Sequence, residues 1–577
     1  MLIQTINSLW MWQSRGESRA FHQATASIQR QQKELLQSTL RENAECSYGR
    51  EHRFAKIKSL EDFQQHVPIC DYESLRLKIE EIASGGQGVL TSEPVLMLEP
   101  TGGSSGGSRL IPYTATLRRQ FQRAIATWMH DVLSGFPGCR KGRAYWSISP
   151  EAQRPEKTAG GIRIGFDNDA EYLAGWQRWA MKRLLAVPTS VAQIRNIKNF
   201  QYATLAGLLA ANDLALISVW SPTFLTTLFA RLPDWAEQIV EDIEVGQLHF
   251  PQSNADQGFK EFSFDRNRSR SRFLKSKLQQ FGPSAEFLKE IWPSLSLVSA
   301  WGDASASMFV PDLKSWLPDI PFQPKGLLAT EGVTSFPLRS DHGSALAIRS
   351  HVFEFQPIET AADPTRPTKW AWELEQGRRY QVLLTTGGGL YRYAIGDEIE
   401  VTGFVRQCPL LTFTGRAGVQ SDLVGEKLHE QHVREAISQS CEWLRLEPAF
   451  AMLIPIYAGA TDLNSNPGYR AILVIRNLKC TAAELETVER QMAEKIEQQL
   501  CDNSQYRYAL GLGQLRKLDA WILPTSPEQA WSVYESECRR RGQKSGDIKP
   551  AVIAKGAGWD SAFRAIRQNE SLASPDH

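Results

Sequence analysis

No apolar run in this 577-residue chain is long enough to cross a membrane. The nearest, "YATLAGLLAANDLALISVWSPTFL" at 202–225, is broken by Asn212 and Asp213, whereas a spanning helix needs about 20 consecutive apolar residues. It reads as two buried helical turns, and no membrane span is expected. Charge of one sign is missing as well: 65 Lys+Arg stand against 64 Asp+Glu, a net charge of +1. Nothing in that balance selects nucleic acid or a membrane surface as a partner. The eight cysteines are scattered without a CxxC pair, which suits a reduced compartment better than a disulfide scaffold. The opening "MLIQTINSLWMWQSRGESRAFHQ" has no basic start leading into a sustained apolar core, so a cytoplasmic location is expected. No Ser/His/Asp arrangement stands out. "HEQH" at 429–432 lacks both the HExxH spacing and a third ligand, so it carries no metal expectation. The tryptophans, Trp128, Trp146 and Trp301 among them, read as core anchors.

What is present begins with "EPTGGSSGGSRLIPYT". Seven of the eight residues from Thr101 to Ser108 are glycine or serine. A tether between domains has this composition, but here an apolar strand, "VLMLEP", leads directly into the run. Leu117, Phe121, Ile125, Met129 and Leu133 then recur every four residues beyond it. That spacing predicts an amphipathic helix, with Thr114 or Thr116 as its N-cap. Strand, glycine-rich loop and helix in succession suggest a cradle of backbone N–H groups for an anion. It is not a Walker loop, because Ser108 stands where that motif has lysine.

Three further apolar strands end in polar groups suited to a ligand. They are "SLSLVSAWGD" (294–303), "KGLLATEG" (325–332) and "YQVLLTTGGGLYRYAIGD" (380–397), the last carrying Tyr391, Arg392 and Asp397. Strand ends converging on one ligand are a common way to build a site. The last quarter changes rhythm. A stretch at 411–444 that passes from a strand through a turn into a helix, apolar strands at 449–457 and 469–477, and a helix opened by the Thr481/Glu484 capping box precede a strand at 517–524. This order describes a small α+β domain with a boundary near 420. The expected fold class is α/β: a large N-terminal domain of mixed sheets and helices (1–419) and a smaller α+β C-terminal domain (420–577).

These motifs, "TGGSSGGSR" with "IPYT", "LLATEG", "LYRYAIGD" and "TGRAGVQSDLVGEKL", together with "SYGREHRFAKIKSLEDFQQHVPICDYESL" upstream, make the chain resemble the auxin-responsive-promoter family of acyl-acid amido synthetases. That family lies within the adenylate-forming superfamily. The resemblance implies a two-step reaction needing ATP and Mg²⁺. A small carboxylic acid is first adenylated with release of pyrophosphate, and an amine, usually an amino acid, then takes the acyl group. It further implies that Thr101, Gly102, Gly103, Ser104 and Ser105 hold phosphate, with Arg109 beside them. Thr330 would lie near the α-phosphate, Glu331 would bind Mg²⁺, and Tyr391, Asp397 and Arg416 would serve the nucleotide. Lys427 and Lys549 would be supplied by a C-terminal lid. An acyl-CoA ligase sharing the first step, or a scaffold that has kept only the fold, are the alternatives.

The sequence departs from the family pattern at three places. Gly103 stands where a hydroxyl residue is usual, Arg109 replaces a lysine, and Leu327 or Leu328 occupies the place of an aromatic residue. Arginine keeps the charge but not the compact ammonium geometry.

Overall fold

Short, wholly buried segments set the framework of the larger unit. Leu214–Ser218 and Leu297–Ala300 are buried at every position, as central parallel strands covered on both faces must be. They pair in parallel with Arg143–Trp146 and Phe322–Pro324 to give a four-stranded sheet. The first of these strands corrects the sequence expectation for 202–225. The helix Ile197–Ala210 ends before Asn212, and the next apolar residues are strand, not helix. Four apolar residues and Ser218, buried at every position, have no period by which to distinguish the two.

The computed structural model describes residues 2–101, 109–146, 157–165, 183–252, 265–339, 343–358, 368–416, 420–457, 466–543 and 548–568. These residues fall into two compact units. The larger comprises 1–220, 228–302 and 314–413; the smaller comprises 221–227, 303–313 and 414–577. The chain passes from one to the other within the strand Cys408–Arg416.

Two more sheets of three or more strands lie in or chiefly in the larger unit. A seven-stranded sheet runs in the order Ser335–Pro337, Ser344–Leu346, Cys408–Arg416, Tyr393–Val405, Arg379–Thr385, Val352–Pro357, Lys369–Trp370. The third sheet corrects the reading of the Gly/Ser run. Met97–Thr101 pairs antiparallel with Arg109–Tyr113, in a register that sets Thr101 against Arg109. The run therefore connects two strands of a hairpin rather than a strand to a helix. The helix Ala115–Gly135 begins only at Thr114, whose hydroxyl accepts the Leu117 N–H as an N-cap. Pro112, with no N–H to donate, and the neighbouring Ile111 favour extended backbone there.

In the smaller unit, Pro448–Ile456 lies antiparallel to Gly468–Ile475, which is parallel to Asp519–Ile522. Its strands alternate between two cores. Ala451, Leu453, Ala471 and Leu473 meet Val433, Ile437, Met492 and Ile496 from the helices Glu430–Leu444 and Ala482–Leu500. Phe450, Met452, Ile454 and Ile472 meet Ala530, Trp531 and Phe563 from Pro527–Arg540 and Trp559–Gln568. Both faces are buried, so the strands read as continuous apolar runs. Helix, strand, strand, helix and strand occur in the order expected. No helix among the described residues is long and apolar enough to cross a membrane.

Candidate active site

"LLATEG" forms a tight hairpin. Ala329 pairs with Gly332, leaving Thr330 and Glu331 as its two turn residues. The Tyr113 hydroxyl donates to the Thr330 carbonyl at 3.1 Å, tying this turn to the strand that follows the Gly/Ser run. Glu331 is only 9% exposed. Burial first, and next the negative charge of Glu331, push the Tyr393 hydroxyl pKa up, while Arg109 pulls it down. Glu331, Arg109 and Tyr393, from three separate sequence motifs, thus share one electrostatic neighbourhood.

A buried histidine supports the same hairpin. The Val333 N–H donates to His351 Nε2 at 3.1 Å, and His351 Nδ1 lies 3.1 Å from Gln120 Oε1. Since Nε2 accepts, the ring proton resides on Nδ1 and is donated to Gln120. Gln120 Oε1 also accepts the Gly387 N–H at 2.9 Å. Full burial, then the charge of Arg123, lower the His351 pKa to about 3, keeping the ring neutral. A Cβ on Gly332 would stand 2.8 Å from His351 Nε2, so the glycine of the motif makes room for this histidine. The glycines of "TTGGG" serve close packing in the same way. A Cβ at Gly387 would meet Thr116 at 2.4 Å, and one at Gly389 would meet Leu90 at 2.7 Å.

Arg109 opens its strand over an aromatic support. Its guanidinium lies 5.5 Å from the centroid of the Tyr72 ring, and the Tyr72 hydroxyl accepts the Leu110 N–H at 3.1 Å. Asp71 caps the helix Tyr72–Ala83 through the Ser74 N–H. Its carboxyl pKa is lowered chiefly by the Ser74 side chain, with a smaller contribution from Arg109.

"LYRYAIGD" divides into packing and polar presentation. Tyr391 is wholly buried, stacked on Tyr48 at 5.1 Å, with its hydroxyl donated to the Leu90 carbonyl at 2.9 Å. Its side chain is enclosed by these packing contacts. Arg392 is internal too, with a left-handed φ of 47°. It pairs with Glu354 at 3.0 Å, the two side chains being 6% and 2% exposed, and donates to the carbonyls of Gln64 and Val67 at 2.8 Å. The Arg392 carbonyl and the Ala394 N–H pair with Cys70, which brings Asp71 and Tyr72 alongside this strand. Asp397 lies in a bulge. Gln381 faces Glu398 but Leu383 faces Ala394, so Ile395, Gly396 and Asp397 all stand opposite Val382. Gly396 takes the positive φ of 78° that this demands. Bulges occur often beside functional sites, and this one contains the buried Asp397.

The remaining expected residues fall elsewhere. Gly102, Gly103, Ser104 and Ser105 lie outside the described residues; Thr101 and Arg109 are the paired strand residues that bound them. Arg416, Lys427 and Lys549 belong to the smaller unit. Lys427 is exposed and left-handed, with φ 47°. Its turn is fixed by Glu426, whose carboxylate accepts the N–H groups of Leu423 and Val424 at 2.8 Å and the Tyr469 hydroxyl. The Lys549 side chain is exposed, and its carbonyl accepts the Tyr534 hydroxyl at 2.8 Å. Sequence reasoning passed over His351, Glu354, Tyr113 and Tyr72. Tyr113, inside "IPYT", and Tyr72, inside "ICDYESL", lay within stretches already singled out.

Residues 17–322 match the GH3 family N-terminal domain and residues 344–416 the GH3 family central domain. The chain belongs to the GH3 family. The resemblance read from the motifs holds, and two curated GH3 relatives each match about four fifths of the protein. The indole-3-acetic acid-amido synthetase GH3.15 of Arabidopsis thaliana is 24% identical over 82% of this chain and 81% of its own length. A putative indole-3-acetic acid-amido synthetase, GH3.10 of Oryza sativa subsp. japonica, is 24% identical over 78% of this chain and 91% of its own. The solved structure of the GH3.15 acyl acid amido synthetase in complex with 2,4-DB is similar over 96% of both chains, with a TM-score of 0.80 at 18% identity. The mixed α/β architecture described above is therefore the GH3 fold.

Proposed function

We propose that this GH3 protein is an ATP-dependent acyl-acid amido synthetase. A carboxylate oxygen attacks the α-phosphorus of ATP, the bond to the β-phosphate breaks, and pyrophosphate departs with its electrons. An amine nitrogen, most fittingly that of an amino acid, then attacks the acyl carbon. The acyl–phosphate bond breaks, AMP leaves, and the nitrogen loses a proton to solvent. The observation that carries this reading is the Thr330–Glu331 turn, locked by Tyr113 and sharing an electrostatic neighbourhood with Arg109. The amido synthetase names of the curated relatives give independent support.

In this reading Arg109, with Thr101 and the residues 102–105, offsets phosphate charge. Asp397, an acceptor-only carboxylate, suits the two hydroxyl donors of a ribose. Among the described residues no three His, Cys, Asp or Glu side chains cluster as a metal site. Mg²⁺ fits Glu331 nonetheless, since this cation is commonly held by one or two carboxylates and substrate phosphates. When bound, it would neutralise phosphate charge. The smaller unit is assigned the part of a lid contributing Arg416, Lys427 and Lys549, which keeps water from the reactive intermediate.

The test is acid-dependent pyrophosphate release from ATP and Mg²⁺ without coenzyme A, with hydroxylamine trapping the activated acyl group and Asp397→Ala as control. Release and hydroxamate formation lost in the variant are expected. No release across a broad acid panel, together with no ATP binding by calorimetry, would leave a non-catalytic scaffold. Turnover only with coenzyme A would assign an acyl-CoA ligase.

A further inference from the structure

The segment 548–554, which carries Lys549, forms no helix or regular strand, and its one ladder contact is the bridge of Ile553 to Leu453. Around that bridge the Leu453 N–H donates to the Val552 carbonyl at 2.7 Å, and the Ala554 N–H to the Leu453 carbonyl at 2.9 Å. Pro550, next to the lysine, has no N–H to donate. The backbone nearest Lys549 is therefore held by side chains.

Two buried side chains hold it. The Tyr534 hydroxyl donates to the Lys549 carbonyl at 2.8 Å. Burial above all raises the pKa of this phenol far above the usual tyrosine value, which keeps it a donor; the Ala551 N–H is a smaller, opposing influence on the same oxygen. The Tyr534 ring is fixed by Trp531 at 5.1 Å and Trp559 at 5.5 Å. A phenylalanine would keep those ring contacts, so what the hydroxyl adds is a fixed Lys549 backbone. Glu430, 8% exposed, opens the helix Glu430–Leu444. Its Oε1 accepts the Val552 N–H at 3.1 Å and the Ser305 hydroxyl at 2.9 Å. All of these residues belong to the smaller unit.

The Lys549 side chain is exposed. An ammonium on a flexible four-carbon stem is placed only as well as the backbone that carries it. Misplacement by about 1 Å can cost a catalytic step roughly a hundredfold. Resting on the amido synthetase reading, in which the lid contributes Lys549, we propose that Tyr534 and Glu430 are positioning residues for that lysine. Together they clamp residues 549–552, so that the ammonium is presented from a fixed backbone rather than a loose tail.

A double-mutant cycle on acid-dependent pyrophosphate release tests this in the full-length protein. Tyr534→Phe should lower kcat roughly tenfold while the KM for ATP stays within about twofold. In a Lys549→Met background the same change should alter the rate by less than about twofold, because a residue that acts through the lysine has nothing left to act on. Glu430→Ala should behave alike. Glu430→Gln, whose amide oxygen can accept the same two donors, should restore most of the rate. Equal losses from Tyr534→Phe with and without Lys549, or an unchanged kcat, would overturn the proposal, as would equal losses in Glu430→Gln and Glu430→Ala. Amide hydrogen exchange reads the clamp without turnover. Residues 549–554 should exchange at least about tenfold faster in Tyr534→Phe and Glu430→Ala, with the strand Gly468–Ile475 still protected. Unchanged exchange would overturn the clamp whatever the chemistry. That local acceleration, in a protein whose wild type releases no pyrophosphate, would instead leave the clamp standing and remove the amido synthetase reading.

Discussion

The hydroxyl of Tyr113 donates to the backbone carbonyl of Thr330 across 217 residues of chain, at 3.1 Å. It is the direct link between the strand leaving the Gly/Ser run and the turn that carries Glu331. Tyr113 sits four residues from Arg109 on one strand, so a single hydrogen bond sets two charged groups of opposite sign in register.

Tyr113→Phe should therefore lower kcat more than stability. Loss of one hydrogen bond costs about 1 kcal/mol, visible as a small drop in urea midpoint. Misplacement of Glu331 should reduce kcat by roughly tenfold, which corresponds to about 1.4 kcal/mol of transition-state stabilisation. A variant with unchanged kcat would show that the bond only stabilises the fold.

Tyr391→Phe separates packing from nucleotide binding. The Leu90 carbonyl loses its donor in a fully buried setting, so destabilisation of about 1–3 kcal/mol is expected from chemical denaturation. The KM for ATP should be unchanged at a temperature where the variant is folded. A several-fold rise in that KM would return Tyr391 to the nucleotide site.

Arg392→Met leaves the Glu354 carboxylate buried without its cation. Breaking a buried pair from one side typically costs about 3–5 kcal/mol. The double variant Arg392→Met/Glu354→Gln should recover part of the loss, and equilibrium unfolding of the four proteins measures the coupling. An additive cycle would mean the two residues do not act as a pair.

His351 predicts a pH dependence of known sign. Its folded pKa, about 3, lies below the ordinary histidine value of 6.5. Above pH 6.5 the ring is neutral in both states and its contribution to stability is complete. Below that, the unfolded chain takes up a proton that the folded one refuses, and stability falls by about 1.4 kcal/mol per pH unit toward pH 3. His351→Gln, whose amide can both donate and accept, should show a shallower loss of melting temperature between pH 6.5 and 5. Identical slopes would show that His351 is not the group titrating.

The sequence by itself determined the order of elements and the chemistry on offer. Periodicity placed the helix after Thr114, and the Thr481/Glu484 capping box opened its helix as read. "TEG" and "GD" disclosed their carboxylates, because a functional loop must display its residue types in the chain itself. Tertiary structure decided everything that depends on who is buried beside whom. Nothing local distinguishes Tyr391, sealed against Tyr48, from Tyr393 two residues on, or reveals that Arg392 faces Glu354 across 38 positions. A five-residue buried run has no period to mark Leu214–Ser218 as a strand until its parallel neighbours supply the hydrogen bonds. The role of His351 was hidden for the same reason: a lone histidine in sequence acquires a tautomer and a lowered pKa only from the groups that enclose it.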